Sequence, residues 1–202
     1  MTGIIDYGVG NLFSLKSSFA AIGEECVVSG EADTIRTADR LILPGVGAFE
    51  DAAEKLRSSG LFELLLEEAG RGKPLLGICL GMQLLFERSF EYGEHAGLGL
   101  IPGSVEPIAD LIAPGLKIPH IGWNALHFTR DSELFRGVEE GSHVYFVHSY
   151  HAARCEGYVT SVTDYGGTLT ASVQRENVLG CQFHPEKSGA VGLRILKNFT
   201  DL

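Results

Sequence analysis

The sequence predicts an α/β protein with a doubly wound, mostly parallel sheet and an antiparallel β extension. In the first half of the chain, short apolar runs alternate with amphipathic segments, which is typical of parallel strands covered by helices on both faces. Beyond about residue 97, Gly and Pro separate several short β-rich runs, which favours antiparallel pairing. No linker composition divides the two halves, so we expect a single domain over residues 1–202.

The first half supplies the predicted parallel strands and their helices. Strands are predicted at GIID (3–6), ECVVS (25–29), RLILPG (40–45, ended by its Pro and Gly) and PLLGI (74–78). Helices are predicted from Asn11 onward and at AFEDAAEKL (48–56), LFELLLEEA (61–69) and LGMQLLFER (80–88), where apolar residues recur at helical spacing.

The second half supplies the predicted extension. Its β-rich runs are GSVEPI (103–108), HIGWNALHF (120–128), HVYFVHSY (143–150), GYVTSV (157–162), LTASVQ (169–174) and VLGCQF (178–183). A final helix is predicted at GAVGLRILKNF (189–199).

Charge and composition exclude several classes of function. The formal charge of −10, with 16 scattered basic residues, argues against nucleic-acid binding. The first residues lack the basic region of a signal peptide, and apolar runs end short of the ~18 residues that a membrane span needs. We therefore expect a cytosolic protein without membrane contact. The four cysteines have no CxxC spacing, which argues against a zinc site and predicts free thiols.

One cysteine stands between two glycines where a predicted strand turns into a predicted helix. Gly77-Ile78-Cys79-Leu80-Gly81 fits a nucleophile elbow, in which the glycines allow close approach of strand and helix. Cys79 at a helix N-terminus is a candidate nucleophile, although a buried hydrophobic role is the plain alternative. Cys26, Cys155 and Cys181 lack this context and are assigned to the core or to incidental positions.

A candidate base follows the last predicted strand. In CQFHPEKS, Pro185 keeps the chain extended, so His184 and Glu186 face the same side and the carboxylate can orient the imidazole. Together with Cys79 they form a candidate Cys-His-Glu triad. Surface positions are expected for His95, His127 and His143, and hydrogen-bonded structural roles for His148 and His151.

A glycine-rich turn is the candidate oxyanion hole. LPGVG (43–47) follows a predicted strand and can present backbone amides to a developing negative charge, although an ordinary strand-to-helix turn is the alternative. The amides of Val46 and Leu80 are the predicted donors. Valine resists positive φ, so we expect the Val46 amide to point away from the site in the isolated chain.

Three blocks resemble the signatures of class I glutamine amidotransferases. They are PGVGAF (44–49), GICLGMQLLFE (77–87) and GCQFHPEKS (180–188), and the resemblance runs essentially from end to end. Within that family, IIDYGVGNLFSL (4–15), PHIGWN (119–124), YFVHSY (145–150) and HPEKS (184–188) resemble the glutaminase subunits of imidazole glycerol phosphate synthases. Other branches of the family usually have glycine where Val46 stands.

The resemblance implies glutamine hydrolysis without a metal or organic cofactor. Cys79 would attack the carboxamide, His184 would move the proton and Glu186 would hold the imidazole tautomer. The family's glutamine contacts correspond to Gly47, Gln83, Ser149 and Tyr150.

The resemblance also implies a partner that receives the ammonia. In the family this partner is a (β/α)8-barrel cyclase subunit of imidazole glycerol phosphate synthase. The family's interface positions correspond to His120, Trp123, Asn124, Tyr145 and Lys187, each of which also has an ordinary surface or core interpretation.

Three alternatives remain at the level of sequence. The chain is a non-catalytic docking or regulatory subunit of the same fold, a stand-alone cysteine hydrolase, or the glutaminase subunit of another amidotransferase. Chemically competent residues at all three triad positions argue against the first, and Gln83 with HPEKS argues against the second.

Overall fold

The computed structural model describes residues 1–202. Its strands are β1 (Thr2–Ile5), β2 (Cys26–Ser29), β3 (Arg40–Leu43), β4 (Leu75–Ile78), β5 (Phe86–Ser89), β6 (His95–Ala96), β7 (Ile101–Pro107), β8 (His120–Ala125), β9 (His127–Phe128), β10 (His143–His148), β11 (Tyr150–Ala153), β12 (Val159–Asp164), β13 (Thr168–Arg175) and β14 (Val178–Cys181). Its α-helices are α1 (Leu12–Ala21), α2 (Ala32–Thr37), α3 (Phe49–Ser58), α4 (Leu61–Gly70), α5 (Leu80–Leu84) and α6 (Gly189–Thr200).

An eight-stranded sheet forms the centre of the fold, with the order β2-β1-β3-β4-β14-β13-β12-β9. The first five strands in this order pair in parallel, whereas β13, β12 and β9 continue the same sheet by antiparallel pairing. The predicted fold class is confirmed. Strand β14, from the end of the sequence, lies beside β4 and parallel to it. Residues from the two halves of the sequence therefore meet at the carboxyl ends of these two strands.

Helices cover both faces of the parallel strands. Successive strand residues point to opposite faces, so neighbouring positions enter different hydrophobic clusters. Ile4 packs in the cluster that contains apolar residues of α1 and α6, whereas Ile5 packs in the cluster that contains those of α3 and α4. Burial of each such side chain contributes roughly 1.5–3 kcal/mol, and the two clusters fix the sheet between its helices.

Helices α1, α3 and α4 are found where they were predicted, and one further helix, α2, was not predicted. Asn11 caps α1, because its side-chain oxygen accepts a hydrogen bond from the Ser14 amide at 3.3 Å. Helices α3 and α4 lie where their apolar spacing predicts. Helix α2 was not predicted, since it is one short segment in which only Ile35 is buried and no side chain caps its start.

The predicted helix over 80–88 is wrong in its second half. Helix α5 ends at Leu84, and Phe86–Ser89 forms strand β5, which pairs in parallel with β7. The loop before β7 provides the physical reason. Leu98 donates its amide to the Leu84 carbonyl at 2.8 Å and Ile101 donates to the Leu85 carbonyl at 3.0 Å, so tertiary bonds replace those that a longer helix would make.

The antiparallel extension is more divided than predicted. Only β9, β12 and β13 extend the main sheet. Strands β8 and β10 form a separate antiparallel pair, and β11, β7, β5 and β6 form a four-stranded sheet. Strand periodicity alone does not say which strands share a sheet, so this division could not be read from the sequence.

The two glycines around Cys79 permit a very close approach of backbones. A Cβ on Gly81 would lie 1.8 Å from the carbonyl oxygen of Leu43, at the end of β3. A Cβ on Gly77 would lie 2.6 Å from the carbonyl oxygen of Gly81. Helix α5 therefore begins directly against β3 and β4, and the connection at Cys79 has to turn within one residue.

The Gly81 contact predicts a severe effect of one methyl group. Gly81→Ala is expected to lower the free energy of unfolding by about 3 kcal/mol or more, because the clash is with backbone and repacking cannot relieve it. Urea unfolding followed by circular dichroism measures the effect. Gly70→Ala, at the end of α4 with nothing within 4 Å of the added atom, is the matched control and should be neutral or stabilising. Equal stability of the two variants would contradict the close-packing argument.

Candidate active site

Cys79 occupies a strained turn between β4 and α5. Its φ of 55° and ψ of −111° lie in a region that non-glycine residues rarely adopt, which costs about 1–3 kcal/mol. Its amide donates to the Cys181 carbonyl at 2.8 Å, which ties the turn to β14. Its sulfur lies 3.8 Å from the Val147 carbonyl oxygen and 3.7 Å from Nε2 of Gln182. The geometry is that of the predicted nucleophile elbow.

His184 and Glu186 form a buried hydrogen-bonded pair just beyond β14. Nδ1 of His184 lies 2.8 Å from Oε1 of Glu186, and the two side chains are 3% and 2% exposed. Residues 185–187 form a 3₁₀ turn rather than the predicted extended segment, so the hydrogen bond between the two side chains spans a turn. Because the carboxylate accepts a hydrogen from Nδ1, Nε2 is the ring nitrogen left for chemistry, and it has no partner within the chain.

The environment of His184 favours its protonated form. Burial alone would lower the pKa of the imidazole, but the nearby Cys79 sulfur and the Glu186 carboxylate together outweigh burial and raise the pKa to about 9. The imidazole therefore holds a proton at neutral pH.

The backbone of His184 is fixed to strand β10. Its amide donates to the Tyr145 carbonyl at 2.9 Å, and its carbonyl accepts from the Ser188 hydroxyl at 2.6 Å. The Ser188 oxygen in turn accepts from the Tyr145 amide at 3.0 Å. The base is thereby tied to a strand that carries a predicted interface residue.

Cys79 and His184 line one cavity of about 310 Å³. Seven further predicted site residues line it, namely Val46, Gly47, Leu80, Gln83, Ser149, Tyr150 and Lys187. The cavity is also lined by residues that were not predicted to lie there, namely Glu91, Pro119, Val147 and His148.

Two amide side chains connect the cavity wall with the thiol. Nε2 of Gln83 donates to the Tyr150 carbonyl and to Oε1 of Gln182, both at 3.1 Å. Gln182 is fully buried and directs its own Nε2 toward the Cys79 sulfur. The donors of Gln83 are thus used internally, which leaves its oxygen free to accept. Gln182 was not singled out from sequence, because an amide next to HPE has no pattern of its own.

Glu91 places a carboxylate in the cavity. Its Oε2 accepts a hydrogen bond from the Phe49 amide at 2.7 Å, and burial raises the pKa of this carboxyl group. The surrounding sequence FEYGE reads as a polar loop, so only the fold brings Glu91 to the site.

The LPGVG turn lies beside Cys79, and a hydrogen bond from a buried tyrosine holds it in place. The Tyr7 hydroxyl donates to the Pro44 carbonyl at 2.7 Å, and the pKa of Tyr7 is raised by burial and then by the nearby Cys79 charge. Val46 is exposed and does not have positive φ, whereas Gly47 has φ 93°. The Val46 amide makes no hydrogen bond within the chain, so no hydrogen bond holds its peptide in this orientation. Leu80, first in α5, has no helical acceptor for its amide.

The predicted interface residues divide into exposed and buried groups. Trp123 is 53% exposed and packs edge-on against the Tyr145 ring, over which Lys187 places its ammonium at 5.7 Å. Asn124 is half-buried. His120 is 0% exposed, so its side chain does not reach the surface in this conformation. Stacking against Phe146 and Tyr165 is the reason for its burial.

The remaining histidines and cysteines largely follow expectation. His127 and His143 are exposed, and His148 and His151 are buried. His95 is a correction, because its side chain is only 18% exposed beside Glu50. Cys155 and Cys181 are buried, and burial raises the pKa of the Cys155 thiol to about 12.

No group of three or more His, Cys, Asp or Glu side chains in the structure has the arrangement of a metal site. None of the helices combines the length and apolar character needed to cross a bilayer.

Comparison with known proteins defines the class. The family model for glutamine amidotransferase class-I matches residues 3–202. A crystal structure of a glutamine amidotransferase superposes with a TM-score of 0.77 at 22% identity, covering 99% of this chain and 97% of that one, which supports the fold. The chain therefore belongs to the class-I glutamine amidotransferase family, and it is a glutaminase that acts through a cysteine nucleophile.

Relatives that match over their full length show which branch of the family this chain is similar to. The imidazole glycerol phosphate synthase subunit HisH of Wolinella succinogenes is 50% identical over 100% of both chains. The protein of the same name from Aquifex aeolicus is 49% identical over 98% of this chain and 95% of its own.

The raised pKa of His184 predicts the alkaline limit of glutamine hydrolysis. The imidazole keeps its proton below about pH 9 and loses it as the pH rises further. Because the leaving ammonia needs that proton, kcat/KM should hold up to about pH 9 and then fall about tenfold per pH unit. Initial rates of glutamate release, measured from neutral pH to above pH 9, give the pH at which kcat/KM begins to fall.

Glu186→Gln provides the test of cause. Loss of the carboxylate should move the alkaline limb to lower pH, because one of the two groups that stabilise the imidazolium is gone. If kcat/KM falls at the same pH in the wild type and in Glu186→Gln, the fall is caused by a group other than His184.

Proposed function

We propose that the chain is the glutaminase subunit of imidazole glycerol phosphate synthase in histidine biosynthesis. The observation that carries the proposal is that Cys79, held at positive φ, lines one cavity together with His184, whose Nδ1 is hydrogen-bonded to the buried Glu186 carboxylate. The full-length relatives at about 50% identity support the choice of synthase.

The triad residues take distinct roles in the proposed reaction. The Cys79 sulfur attacks the side-chain carboxamide carbon of glutamine, and the carbonyl oxygen becomes an oxyanion that accepts hydrogen bonds from the Leu80 and Val46 amides. His184 gives its Nε2 proton to the leaving nitrogen, so ammonia departs as the C–N bond breaks and a γ-glutamyl thioester remains. Water, deprotonated by His184, then attacks the thioester and releases glutamate and the thiol. Glu186 keeps the Nδ1 hydrogen in place throughout.

The cavity offers complementary groups for glutamine. Gly47, Gln83, Ser149 and Tyr150 are the proposed contacts, and the free oxygen of Gln83 is an acceptor. We assign Glu91 to the α-ammonium group, because it is the acidic side chain of the cavity lining and a half-buried carboxylate favours a cationic ligand.

The proposed partner is the (β/α)8-barrel cyclase subunit, joined to this cytosolic chain as a heterodimer that channels ammonia. The surface proposed to contact it consists of Trp123, Tyr145 and Lys187, with Asn124 at its edge. Support comes from the exposure of Trp123 and Lys187 and from the position of Lys187, which lines the cavity while its ammonium lies over the Tyr145 ring. The whole chain acts as one glutaminase unit, since the eight-stranded sheet joins its two halves.

The division of labour predicts a selective loss of activity. Cys79→Ala in the complex should abolish synthesis from glutamine but leave synthesis from added ammonium salts intact, because only ammonia release needs the thiol. Product formation from each nitrogen source measures the two activities. His184→Ala should behave similarly and Glu186→Ala less severely, since an orienting group matters less than a nucleophile or base.

Cys26→Ala is the matched control for the loss of a thiol. Cys26 is a half-buried cysteine in β2, away from the cavity, and both activities should persist without it. Loss of ammonium-dependent synthesis in an assembled Cys79→Ala complex would refute the proposed roles.

The Val46 peptide predicts a weak basal rate. Turning its amide toward the oxyanion would require positive φ at a β-branched residue, at a cost of roughly 1–3 kcal/mol. Absence of one oxyanion donor typically lowers the rate about 10²–10³-fold, so glutamate release should rise by at least this order when partner and cyclase ligand bind.

Val46→Gly should raise the basal rate of the free chain, because glycine accepts either peptide orientation. Val46→Ala, which removes the β-branch but not the cost of positive φ, is the matched control and should give a smaller rise. Full activity of the free wild-type chain would refute the gate, and an unchanged basal rate in Val46→Gly would show that valine does not form it.

A further inference from the structure

A chain of side chains connects the cavity with strand β8. Nδ1 of His148 lies 2.8 Å from the Tyr150 carbonyl oxygen, and Nε2 of His148 lies 3.1 Å from Nδ1 of His120. Nε2 of His120 lies 2.8 Å from Oδ1 of Asn124, whose Nδ2 donates to the Asp164 carbonyl at 2.9 Å. One end of this series of hydrogen-bonded side chains is a wall of the cavity, and the other end, Asn124, is next to the exposed Trp123 in β8.

Three contacts in this chain each require a hydrogen on an imidazole nitrogen. The Tyr150 carbonyl only accepts, so His148 carries a hydrogen on Nδ1. Asn124 donates to Asp164 and thus presents its oxygen to His120, which must carry a hydrogen on Nε2. A third hydrogen is needed between the two rings. Two neutral imidazoles hold only two.

The surroundings do not favour a third proton. His120 is 0% and His148 6% exposed, and burial lowers the pKa of both, that of His148 to about 3. The charged groups that act on His148 are other histidines, His151 and His184 besides His120, and Tyr165 stacks on His120 with ring centroids 4.0 Å apart. Neither ring hydrogen-bonds to a carboxylate. The pair is therefore neutral at physiological pH.

Two hydrogens for three contacts leave one contact with facing lone pairs. While Asn124 presents its oxygen, the His120 hydrogen stays on Nε2, and the unsatisfied contact falls between His120 and His148. When Asn124 is released, the hydrogen can reside on Nδ1 and donate to His148. Phe146 and Tyr165 stack against the His120 ring, so its tautomer rather than its orientation is free to change.

We propose that His120 is a positioning residue that transmits the state of Asn124 to the glutamine cavity through its tautomer. The proposal rests on the proposed function, because it makes β8 the strand that senses the partner. With the hydrogen on Nδ1 of His120, His148 is held from both sides and its bond to the Tyr150 carbonyl strengthens. That carbonyl also holds Gln83, so the cavity wall becomes ordered before glutamine enters.

The tautomers can be measured without turnover. Long-range proton–nitrogen correlation spectra of the full chain labelled with ¹⁵N-histidine show which ring nitrogen carries hydrogen. In the wild-type chain, His120 should carry it on Nε2, and in Asn124→Ala on Nδ1. His127, which pairs with Glu140 outside this chain of contacts, should be unchanged and serves as the internal control. A wild-type His120 protonated on Nδ1, or an Nε2 hydrogen that persists in Asn124→Ala, overturns the proposal.

Glutamate release by the free chain supplies the kinetic readout. Asn124→Ala should lower KM for glutamine roughly three- to tenfold with little change in kcat, because one hydrogen bond is gained in the binding wall. A merely structural Asn124 would instead raise KM. Asn124→Ala combined with His120→Phe should lose the gain, and His143→Ala at the exposed start of β10 should match wild type.

Failures of the two proposals are distinguishable. An unchanged or raised KM in Asn124→Ala overturns the role of His120. Absence of glutamate release from every variant and from the complex would count against the proposed function, while the His120 tautomer would still decide this proposal.

Discussion

The contact between the Gly81 backbone and the Leu43 carbonyl is the constraint on which the site depends. Helix α5 starts so close to the end of β3 that β4 cannot enter it by a gradual turn. Cys79 consequently takes positive φ, and its side chain enters the cavity. The same contact places the turn after β3 beside the thiol, so one close approach positions both the nucleophile and a candidate oxyanion donor. Close packing of the surrounding core balances the local strain.

Two histidines in this cavity show how neighbours set proton affinity. His184 and His148 are both buried, and burial lowers the pKa of each. His184 has a carboxylate on one ring nitrogen and the thiol close to the other, which reverse the effect. His148 has a carbonyl and a second imidazole, which do not. One ring can therefore move a proton at neutral pH, whereas the other can only pass on a hydrogen-bond arrangement.

The sequence predicted those features that depend on residues close together in the chain. The strands β1 to β4 and the longer helices carry their periodicity within themselves, and the elbow and HPE carry their chemistry in adjacent residues. Strand β5 was missed because the loop from Gly97 to Ile101 takes the carbonyls that a helix would use. Gln182 and Glu91 are placed by the residues that face them in the fold, and His120 is buried by the rings of Phe146 in β10 and Tyr165 just after β12. Such pairings across the fold leave no spacing in the sequence.

The position of β14 in the sheet has a consequence for biosynthesis of the chain. β14 lies between β4 and β13, although both precede it in the sequence. A nascent chain that has emerged only as far as β13 has β4 with an open edge, and Cys79 lacks both its anchor on Cys181 and the imidazole that follows. Because His184 is synthesised after β13, the base can reach the thiol only when the last part of the chain has emerged. A prematurely terminated translation product therefore carries an ordinary cysteine and releases no ammonia.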